Sequence, residues 1–421
     1  MNALSGDTYL FAEIDGKYGV YTLKELFELH KQGRAIKVPT LLNERGEKTW
    51  VEVEDVVSFG EQSLKRITLS TTRLYVELSE NTIIPAFGSH LFEGTEEQIN
   101  LKFKLANELK VTQDLRHNNT LLLTTHIPLE LSEGNQFDFE LGFAVGFFIS
   151  EGNLEYRKRK NTKQSLAQLT ALARKKGMTL QEYEKFATDV RRVHLTIGQS
   201  DFERGYIDIL QKHFKMSKPC KKKNANSYYL YFPDLSFIRL IKDYMEGHDS
   251  HTKRLKNEVY NNSRKFLEGI MDGYLAGDGY YKKGKDFGSF YVNMTTNYLL
   301  YNDLIFLSKA LGYDIHLWKP IYKKGGFKNG KFYWELGLSI FKTYHRRTAL
   351  GLLKEHIKKI EDAGEREAFN LVLKPLYSEN DKRAKFNHLY FTAFGILVSD
   401  AVKVLDRSSL TTPLALPLLQ K

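Results

Sequence analysis

Two apolar stretches that each end in an acidic residue and a glycine constrain the fold of this chain most. Residues 266–281 read FLEGIMDGYLAGDGYY, and residues 141–153 read LGFAVGFFISEGN. Small residues recur along both stretches, so two such helices can pack with their backbones in close contact. This packing would place Glu151 beside Asp278, an arrangement that a divalent cation stabilises. The alternative is two buried helices whose acids coincide by chance, and the presence of two copies argues against it.

Length and composition set broad limits on the fold. The chain has 421 residues, which allows two or three domains. No apolar run approaches the length that spans a membrane, and the N-terminus lacks a signal-peptide pattern. The single cysteine, Cys220, excludes an intrachain disulfide and a cysteine-based zinc site. We therefore expect a soluble, intracellular (cytoplasmic) protein with no membrane partner.

The basic residues are concentrated in the segment that holds both acid-glycine motifs. Residues 137–365 carry 40 Lys and Arg against 26 Asp and Glu, whereas residues 1–136 carry 14 against 20. A basic segment with a paired-acid metal site favours a phosphodiester substrate, most simply nucleic acid. The alternative is a solvated basic surface without a ligand.

The first part of the chain has the pattern of a compact β domain. Residues 9–21 predict a hairpin that turns at Asp15-Gly16, and residues 23–31 predict a helix with Thr22 as its N-cap. Strands are then expected at residues 50–57, 66–69, 74–78 and 82–85. Residues 132–135 (SEGN) mark the first credible domain boundary.

Short blocks near both ends of the chain resemble those of inteins, which are self-splicing protein elements. Residues 3–8 (ALSGDT) are similar to the opening intein block, which normally reads Cys-Leu-x-x-Asp-Thr. Residues 84–92 (IPAFGSHLF) resemble the second block, with His90 at its histidine position, and residues 104–115 resemble the strand that follows. Residues 386–400 (FNHLYFTAFGILVSD) resemble the two closing blocks, which normally end on Asn.

The acid-glycine helices resemble the LAGLIDADG motifs of homing endonucleases, at residues 144–152 and 271–279. The combined resemblance implies a multi-domain protein. A discontinuous all-β splicing domain of the Hint type would be interrupted by an α/β LAGLIDADG endonuclease domain with two pseudo-symmetric αββαββα halves. The implied parts are an N-terminal flank (1–2), splicing segments (3–135 and 366–400), the endonuclease (136–365) and a C-terminal flank (401–421). The opening and closing segments are expected to complete one β-fold.

The residues present at the splice junctions predict that this chain does not splice. Splicing needs a nucleophile at the first residue and another after the last, and a terminal Asn whose side-chain amide cyclises. Ala3 and Ala401 carry no nucleophile, and Asp400 has no side-chain nitrogen. Ser399 stands where many inteins have a histidine, and we expect His388 to supply that imidazole, while His90 assists the first step. These losses suggest a precursor trapped before splicing, with host-protein flanks (exteins) attached in cis.

The endonuclease resemblance implies a nuclease that depends on Mg²⁺ (or Mn²⁺). In that family the two acids and nearby carbonyls hold metal ions that activate water for attack on the phosphodiester. Carried onto this chain, these roles fall on Glu151 and Asp278, with the carbonyls of Ser150 and Gly277 as further ligands. Glu151 in place of the usual Asp could weaken cleavage of one strand. Catalytic lysines are expected in such sites, and Lys223 and Lys331 are the candidates.

The resemblance also implies β-strands that lie in the major groove of DNA. The candidates are residues 156–163, 193–197 and 228–232 in the first half, and 280–285, 287–294, 315–324 and 328–339 in the second. Residues 164–190 predict an added helical insertion. The basic residues expected to contact phosphates are Arg157, Lys158, Arg159, Lys160, Lys221, Lys222, Lys282, Lys283, Lys285, Lys323, Lys324 and Lys328.

Both motifs lie on one chain, so a monomer suffices, and the unlike halves predict a long, asymmetric double-stranded DNA site, in such elements the uninterrupted host gene. Two other functions remain open: an RNA-splicing maturase, which can share the paired acid-glycine helices, and a DNA-binding protein whose catalysis has decayed.

Overall fold

The computed structural model describes residues 2–87, 92–93, 96–97, 101–111, 120–156, 170–171, 174–175, 177, 179, 190–222, 226–247, 250–283, 289–324, 332–342 and 352–402. The chain divides into two compact units. Unit 1 comprises Met1–Asp15, Tyr21–Thr124 and Thr348–Lys421, and unit 2 comprises Gly16–Val20 and Thr125–Arg347.

The two compact units and the predicted domains have different bounds. The predicted endonuclease segment began at residue 136 and ended at residue 365, whereas the main part of unit 2 begins at Thr125 and ends at Arg347. The second boundary moves because one continuous strand, Leu352–Leu373, belongs to the sheet of unit 1 and crosses residue 365. The charge pattern and the motif positions do not reveal this strand, because its solvent-facing residues are polar, like those of the loops that join domains.

The strands are numbered in chain order. Before the interruption they are β1 Leu4–Ser5, β2 Tyr9–Ile14, β3 Lys17–Thr22, β4 Ile36–Leu41, β5 Lys48–Leu69, β6 Tyr75–Ser79, β7 Ile83–Phe87, β8 Phe92–Glu93, β9 Glu96–Glu97, β10 Lys102–Leu105 and β11 Thr120–Thr124. Within it they are β12 Gly152–Tyr156, β13 Val190–Gly198, β14 Cys220–Lys221, β15 Ser227–Phe232, β16 Met245–Glu246, β17 Arg254–Leu255, β18 Tyr280–Lys283, β19 Ser289–Thr295, β20 Asp314–Leu317, β21 Ile321–Lys324 and β22 Phe332–Phe341. After it come β23 Leu352–Leu373, β24 Leu389–Phe391 and β25 Leu397–Ser399.

The helices of the described residues are numbered in the same way. They are α1 Leu23–Lys31, α2 Gln136–Glu151, α3 Gln199–Glu203, α4 Tyr206–His213, α5 Leu235–Tyr244, α6 Arg264–Asp278 and α7 Tyr298–Leu311. Short 3₁₀ turns occur at Ala106–Glu108, Asn257–Asn261 and Lys382–Phe386. Within the described ranges, no helix is both long and apolar enough to cross a membrane.

A ten-stranded sheet forms the body of unit 1. Its strand order is β10-β7-β11-β23-β1-β6-β5-β4-β2-β3, and β23 also pairs with β5 over most of its length. The first strand pairs with the last long one, with Leu4 opposite Phe369. Segments from both ends of the chain therefore complete one β-fold, as predicted.

Local sequence signals placed the first elements of unit 1 correctly. Asp15 and Gly16 adopt φ of 49° and 79°, the geometry of a tight hairpin turn between β2 and β3. Thr22 caps α1 in a capping box with Glu25. The two strands predicted at residues 50–57 and 66–69 are parts of the single strand β5, whose polar middle stretch pairs with β23 instead of turning.

Within its described residues, unit 2 contains the two acid-ended helices, the short β16-β17 pair and two larger sheets. The sheets have strand orders β12-β13-β15-β14 and β18-β19-β22-β20, and β21 also pairs with β22. The element order after α2 resembles that after α6, but residues 343–350 lie outside the described residues, so the predicted pseudo-symmetry stays a prediction.

The strands of unit 2 differ in detail from those predicted. Of the strand expected at residues 156–163, only Tyr156 lies within the described residues, where it is the last residue of β12, which begins at Gly152 directly after α2. The single strand expected at residues 315–324 is two strands, because Pro320 between them lacks the N–H that a ladder needs. Most of the predicted helical insertion, residues 164–190, lies outside the described residues.

Candidate functional site

Helices α2 and α6 pack with their backbones in contact along a stripe of glycines. A Cβ atom on Gly146 would lie 1.9 Å from the Ile270 carbonyl oxygen, and one on Gly273 would lie 2.1 Å from that of Phe143. Gly142 and Gly269 face equally close carbonyls, those of Phe266 and Phe139, at 2.0 and 2.1 Å. Only glycine fits at these positions, so the predicted close approach of the two helices is confirmed.

The N-terminal ends of the two helices are held together by their capping residues. Asn135 caps α2 and shares a capping box with Asp138, while Ser263 caps α6. The Ser263 hydroxyl also donates to Asp138 Oδ2 at 3.0 Å. Because the helices start in register, their C-terminal ends also lie side by side.

The two predicted acids lie at those C-terminal ends. Helix α2 ends at Glu151 and α6 ends at Asp278. A Cβ on Gly277 would lie 3.0 Å from Glu151 Oε1 and 2.1 Å from Ser150 Oγ, so the Glu151 carboxylate packs against the residue that precedes Asp278. The C-terminal end of a helix carries partial negative charge, and here two such ends and two carboxylates converge.

The pKa of each acid is raised at this site, chiefly through burial. The pKa of Glu151 rises to about 7, chiefly through burial and then through repulsion from Asp278 and Asp201, while Lys253 opposes the shift. Burial by the surrounding protein also raises the pKa of Asp278 above its usual value, and the charge of Lys253 opposes this shift. Asp278 is exposed, however, so solvent screens its shift, and Glu151 is the more perturbed acid.

Lys253 is a functional candidate that the sequence analysis missed. It is 2% exposed, and its ammonium group donates to the carbonyls of Phe148 and Ile149, at 3.1 and 2.8 Å, in the last turn of α2. Its charge lowers the pKa of both acids. The predicted catalytic lysines, Lys223 and Lys331, lie outside the described residues. Nothing in the local sequence distinguishes Lys253 from its basic neighbours.

The end of α6 is fixed by a second pair of missed residues. Tyr274, which is fully buried, donates its hydroxyl to Asn293 Oδ1 at 2.8 Å. The Asn293 amide in turn donates to the Asp278 carbonyl at 3.3 Å. Strand β19 thereby holds the main chain of Asp278 in place.

The donors at this site suit a hard divalent cation. In the part of the chain that the structure describes, no three His, Cys, Asp or Glu side chains lie close enough to hold a metal ion. The candidate ligands are the two carboxylates and nearby main-chain carbonyls. The Ser150 hydroxyl is not counted among them, because it already donates to Phe147 O at 3.0 Å. Oxygen ligands from few side chains match Mg²⁺ or Mn²⁺, which keep several waters and bind substrate phosphate.

Some predicted DNA contacts lie on exposed edges of the two sheets. Lys221 and Lys222 are exposed at the edge strand β14, and Lys282 is exposed on the edge strand β18. Lys283 ends β18, and Lys323 and Lys324 end β21. The other predicted contacts, like His90, lie outside the described residues: Arg157, Lys158, Arg159, Lys160, Lys285 and Lys328.

The first sheet of unit 2 also presents an aromatic and basic face. Val193 and Leu195 of β13 are buried, so the alternating Arg192 and His194 lie on the opposite face. The Arg192 guanidinium lies 3.7 Å from the Tyr231 ring centroid, and His194 stacks on the same ring at 5.0 Å. Sequence analysis assigned no role to these side chains.

In unit 1 the two predicted splice junctions meet. Ala3 is fully buried, and its N–H donates to the Thr82 hydroxyl oxygen at 3.1 Å. The Asn2 side-chain amide donates to the Asp400 carbonyl at 2.8 Å. Asn370 bridges the two junctions, because its amide donates to Asn2 O at 2.9 Å and to Ser399 O at 3.1 Å.

The predicted closing residues surround the side chain of Asp400. His388 Nδ1 lies 2.9 Å from Asp400 Oδ2, so the expected imidazole is beside the junction. Asp400 is fully buried, and the Ala401 N–H donates to Leu371 O at 2.8 Å. The Ser399 hydroxyl is buried and makes no hydrogen bond within the described residues.

The sequence predicted no role at the junction for three residues of this site: Asn2, Thr82 and Asn370. They lie far apart in sequence and come together only when β1, β7 and β23 enter one sheet. No single-sequence pattern marks them.

No protein-family model matches the chain, and no curated protein matches it. Similar solved structures include an intein from a hyperthermophile, with 21% identity and a TM-score of 0.23, covering 30% of this chain and 73% of the other. A second is the Pab PolII intein in solution, with 22% identity and a TM-score of 0.23, covering 32% and 71%.

A third similar structure is the homing endonuclease I-DmoI in complex with DNA and Mn, with 12% identity and a TM-score of 0.27, covering 49% of this chain and 90% of the other. Inteins and a homing endonuclease are thus both among the solved structures that this chain resembles.

Proposed function

We propose that unit 2 is a site-specific DNA endonuclease of the LAGLIDADG type and that unit 1 is an intein splicing domain. One observation carries the nuclease function: the two acids lie together at the ends of α2 and α6. Glu151 Oε1 would lie 3.0 Å from a Cβ on Gly277, the residue before Asp278, and glycines let the two helix backbones touch. Two helix C-termini and two carboxylates concentrate negative charge at this point, so a bound cation would stabilise the pair.

The cation would be Mg²⁺ or Mn²⁺, held by Glu151 and Asp278 with the carbonyls of Ser150 and Gly277 as further ligands. It would supply an activated water and neutralise charge on the phosphodiester. Lys253 holds the last turn of α2 and keeps the two acids more readily ionised at neutral pH. Asn293 holds the main chain of Asp278. These residues keep the acid pair in a fixed geometry before any ligand arrives.

The DNA partner is supported by charge and by exposed edge lysines. Residues 137–365 hold 40 of the Lys and Arg against 26 Asp and Glu. Lys221, Lys222 and Lys282 are exposed at sheet edges of unit 2, suited to phosphate contact. One chain carries both acids, so a monomer acting on a long asymmetric duplex fits this arrangement. The protein would act inside the cell, where DNA is accessible.

The splicing function is supported by the meeting of the two junctions, and its block by the residues found there. Asn370 donates to Asn2 O, the carbonyl that a nucleophile at residue 3 would attack. Ala3 provides no such nucleophile, and Ala401 provides none at the second junction. Asp400 lacks the side-chain nitrogen for cyclisation. The host-protein flanks therefore stay attached in this chain.

The alternative of a decayed DNA-binding protein predicts binding without cutting, and an RNA maturase predicts preference for RNA. A pool of random DNA duplexes separates these functions. The protein is incubated with the pool and Mg²⁺, and the new ends are sequenced. We expect ends enriched at one long asymmetric sequence. Enriched binding without new ends would favour the decayed form, and a preference for structured RNA competitor would favour the maturase.

A further inference from the structure

The side chain of Asn2 lies at the second splice junction although the residue precedes the first. Its Nδ2 donates to the Asp400 carbonyl oxygen at 2.8 Å. Its Oδ1 accepts from the Ile83 N–H at 2.8 Å. Because a backbone donor occupies the oxygen end, only the NH₂ end can face Asp400. Asn2 is 3% exposed, so this contact lies in a site of low dielectric constant.

The main chain of Asn2 is held as firmly as its side chain. Asn2 O accepts from Asn370 Nδ2 at 2.9 Å. Asn370 Oδ1 accepts from the Tyr390 hydroxyl at 2.5 Å and from the Leu371 N–H at 2.8 Å. The amide that faces Asp400 is therefore fixed before any reaction begins, as an oxyanion donor must be.

We infer that the Asn2 amide is the oxyanion donor for cleavage of the peptide bond between residues 400 and 401. The inference rests on the proposed splicing function and applies when residue 400 carries an amide. The side-chain nitrogen of residue 400 then attacks its own main-chain carbonyl carbon and passes a proton to a base. His388 Nδ1 lies 2.9 Å from one side-chain oxygen of Asp400, so an imidazole lies beside the reacting group. The carbonyl oxygen becomes an oxyanion that receives the Asn2 hydrogen bond.

Collapse of that oxyanion breaks the bond to the Ala401 nitrogen, which takes up a proton and leaves as an amine. The products are a succinimide at residue 400 and a peptide that begins at Ala401. Cleavage at the second junction thus depends on the residue before the first. An element inserted after a residue that cannot donate a hydrogen bond at this position would cleave slowly.

The test uses the full chain with Asp400→Asn. Ala3 and Ala401 stay unchanged, so cleavage after residue 400 is the one junction reaction available. Release of residues 401–421 is followed by intact mass over time. We expect release by Asp400→Asn, and release about 100-fold slower when Asn2→Ala or Asn2→Asp is added, the cost of removing one such donor.

Asn2→Asp separates hydrogen-bond donation from folding. It keeps an acceptor for Ile83 and nearly the same shape, and when protonated it regains a donor. Its rate deficit relative to the Asn2 parent should therefore shrink as pH falls from 8 to 4, while Asn2→Ala stays slow throughout.

The outcomes are distinguishable. No release by Asp400→Asn would overturn both the inference and the proposed splicing function. Release by the Asn2→Ala and Asn2→Asp variants at the rate of the Asn2 parent would overturn the inference alone, as would an Asn2→Asp deficit that does not change with pH. Thermal melting of each variant is measured alongside to confirm that unit 1 stays folded.

Discussion

Glu151 is the residue whose ionisation governs the acid pair. Its pKa of about 7 means that it holds a proton across most of the range below neutrality. A cation must displace that proton, so affinity is expected to rise as pH increases toward about 7, by up to roughly tenfold per unit, and to level off above it.

Calorimetric titration of Mn²⁺ between pH 5.5 and 8.5 measures this dependence. In Glu151→Gln the dependence near pH 7 should disappear and affinity should fall at all pH values. Glu246→Gln, a substitution elsewhere in unit 2, serves as the charge-matched control and should keep the full profile. A wild-type affinity that is constant over this range would contradict the assignment of Glu151 as a ligand.

Lys253 is expected to set the pH at which Mn²⁺ affinity rises. Removing its charge with Lys253→Met should raise the pKa of Glu151 and of Asp278, since it lowers both in the native protein. The rise of Mn²⁺ affinity should then move to higher pH. The substitution also leaves the Phe148 and Ile149 carbonyls without this donor, so a stability loss of about 1 to 3 kcal/mol is expected.

The matched control is Lys256→Met. Lys256 also donates its ammonium group to a main-chain carbonyl, that of Lys242, at 2.5 Å. It is not one of the charges that shift the pKa of Glu151 or Asp278. Its variant should lose stability without shifting the pH profile. Identical profiles for the two variants would show that Lys253 acts only as a structural residue.

At this scale the sequence revealed motif residues but not their partners. Glu151, Asp278 and the helix glycines follow from a local pattern of small residues and an acid. Lys253, Asn293 and Asn370 do not, because their roles depend on burial beside segments far away in sequence. In the sequence, a lysine that is buried at a helix end cannot be told from any other lysine in a basic segment. The difference arises only when the fold places the helix end beside it.

At the level of elements, the glycine stripe is the feature that sets the site. Gly146→Ala should separate α2 from α6, since its Cβ would lie 1.9 Å from Ile270 O and the backbone must move. We expect a loss of about 3 kcal/mol in the free energy of unfolding, in line with overpacked cores. Cation affinity should fall with it because the acids move apart.

Gly198→Ala is the matched control within unit 2. The nearest atom to a Cβ there is Asp201 Oδ2 at 3.5 Å, an ordinary contact. The control should lose less than about 1 kcal/mol, as an N-cap glycine replaced by alanine does. Urea denaturation of both variants measures the difference. Equal stability of the two would mean that the helices do not depend on the stripe.

Element prediction succeeded where the signal was local. The Asp15-Gly16 hairpin, α1 with its capping box and both acid-ended helices follow from short-range residue patterns. The length of β5 could not be predicted, because its polar middle residues extend only through pairing with β23, more than 280 positions away in sequence. The full extent of β23 could not be predicted for the same reason.

At the scale of the whole molecule, one β unit is built from both ends of the chain. Restoring the reacting residues with Ala3→Cys, Asp400→Asn and Ala401→Cys should therefore restore splicing, since the junctions already meet through Asn2 and Asn370. Intact mass and sequencing should show residues 1–2 joined to 401–421 and a separate excised element.

Each single reversion is the control and should give no joined product, because splicing needs both nucleophiles and the terminal amide. A triple variant that stays at the mass of the precursor would contradict the splicing account.

Prediction at this scale came from the order of the motifs along the chain. The predicted symmetry of the two halves of unit 2 stays a prediction, because residues 343–351 lie outside the described part of the chain.

The central claim is that Glu151 and Asp278 form one cation-dependent cleavage centre. Its most direct test is the rate of cutting of each DNA strand, at the site found from random duplexes, by the wild type, Glu151→Gln and Asp278→Asn. The prediction is that both variants bind this DNA as tightly as the wild type in Mg²⁺, yet each cuts at least about 100-fold more slowly. Cutting at the wild-type rate by either variant would contradict the claim.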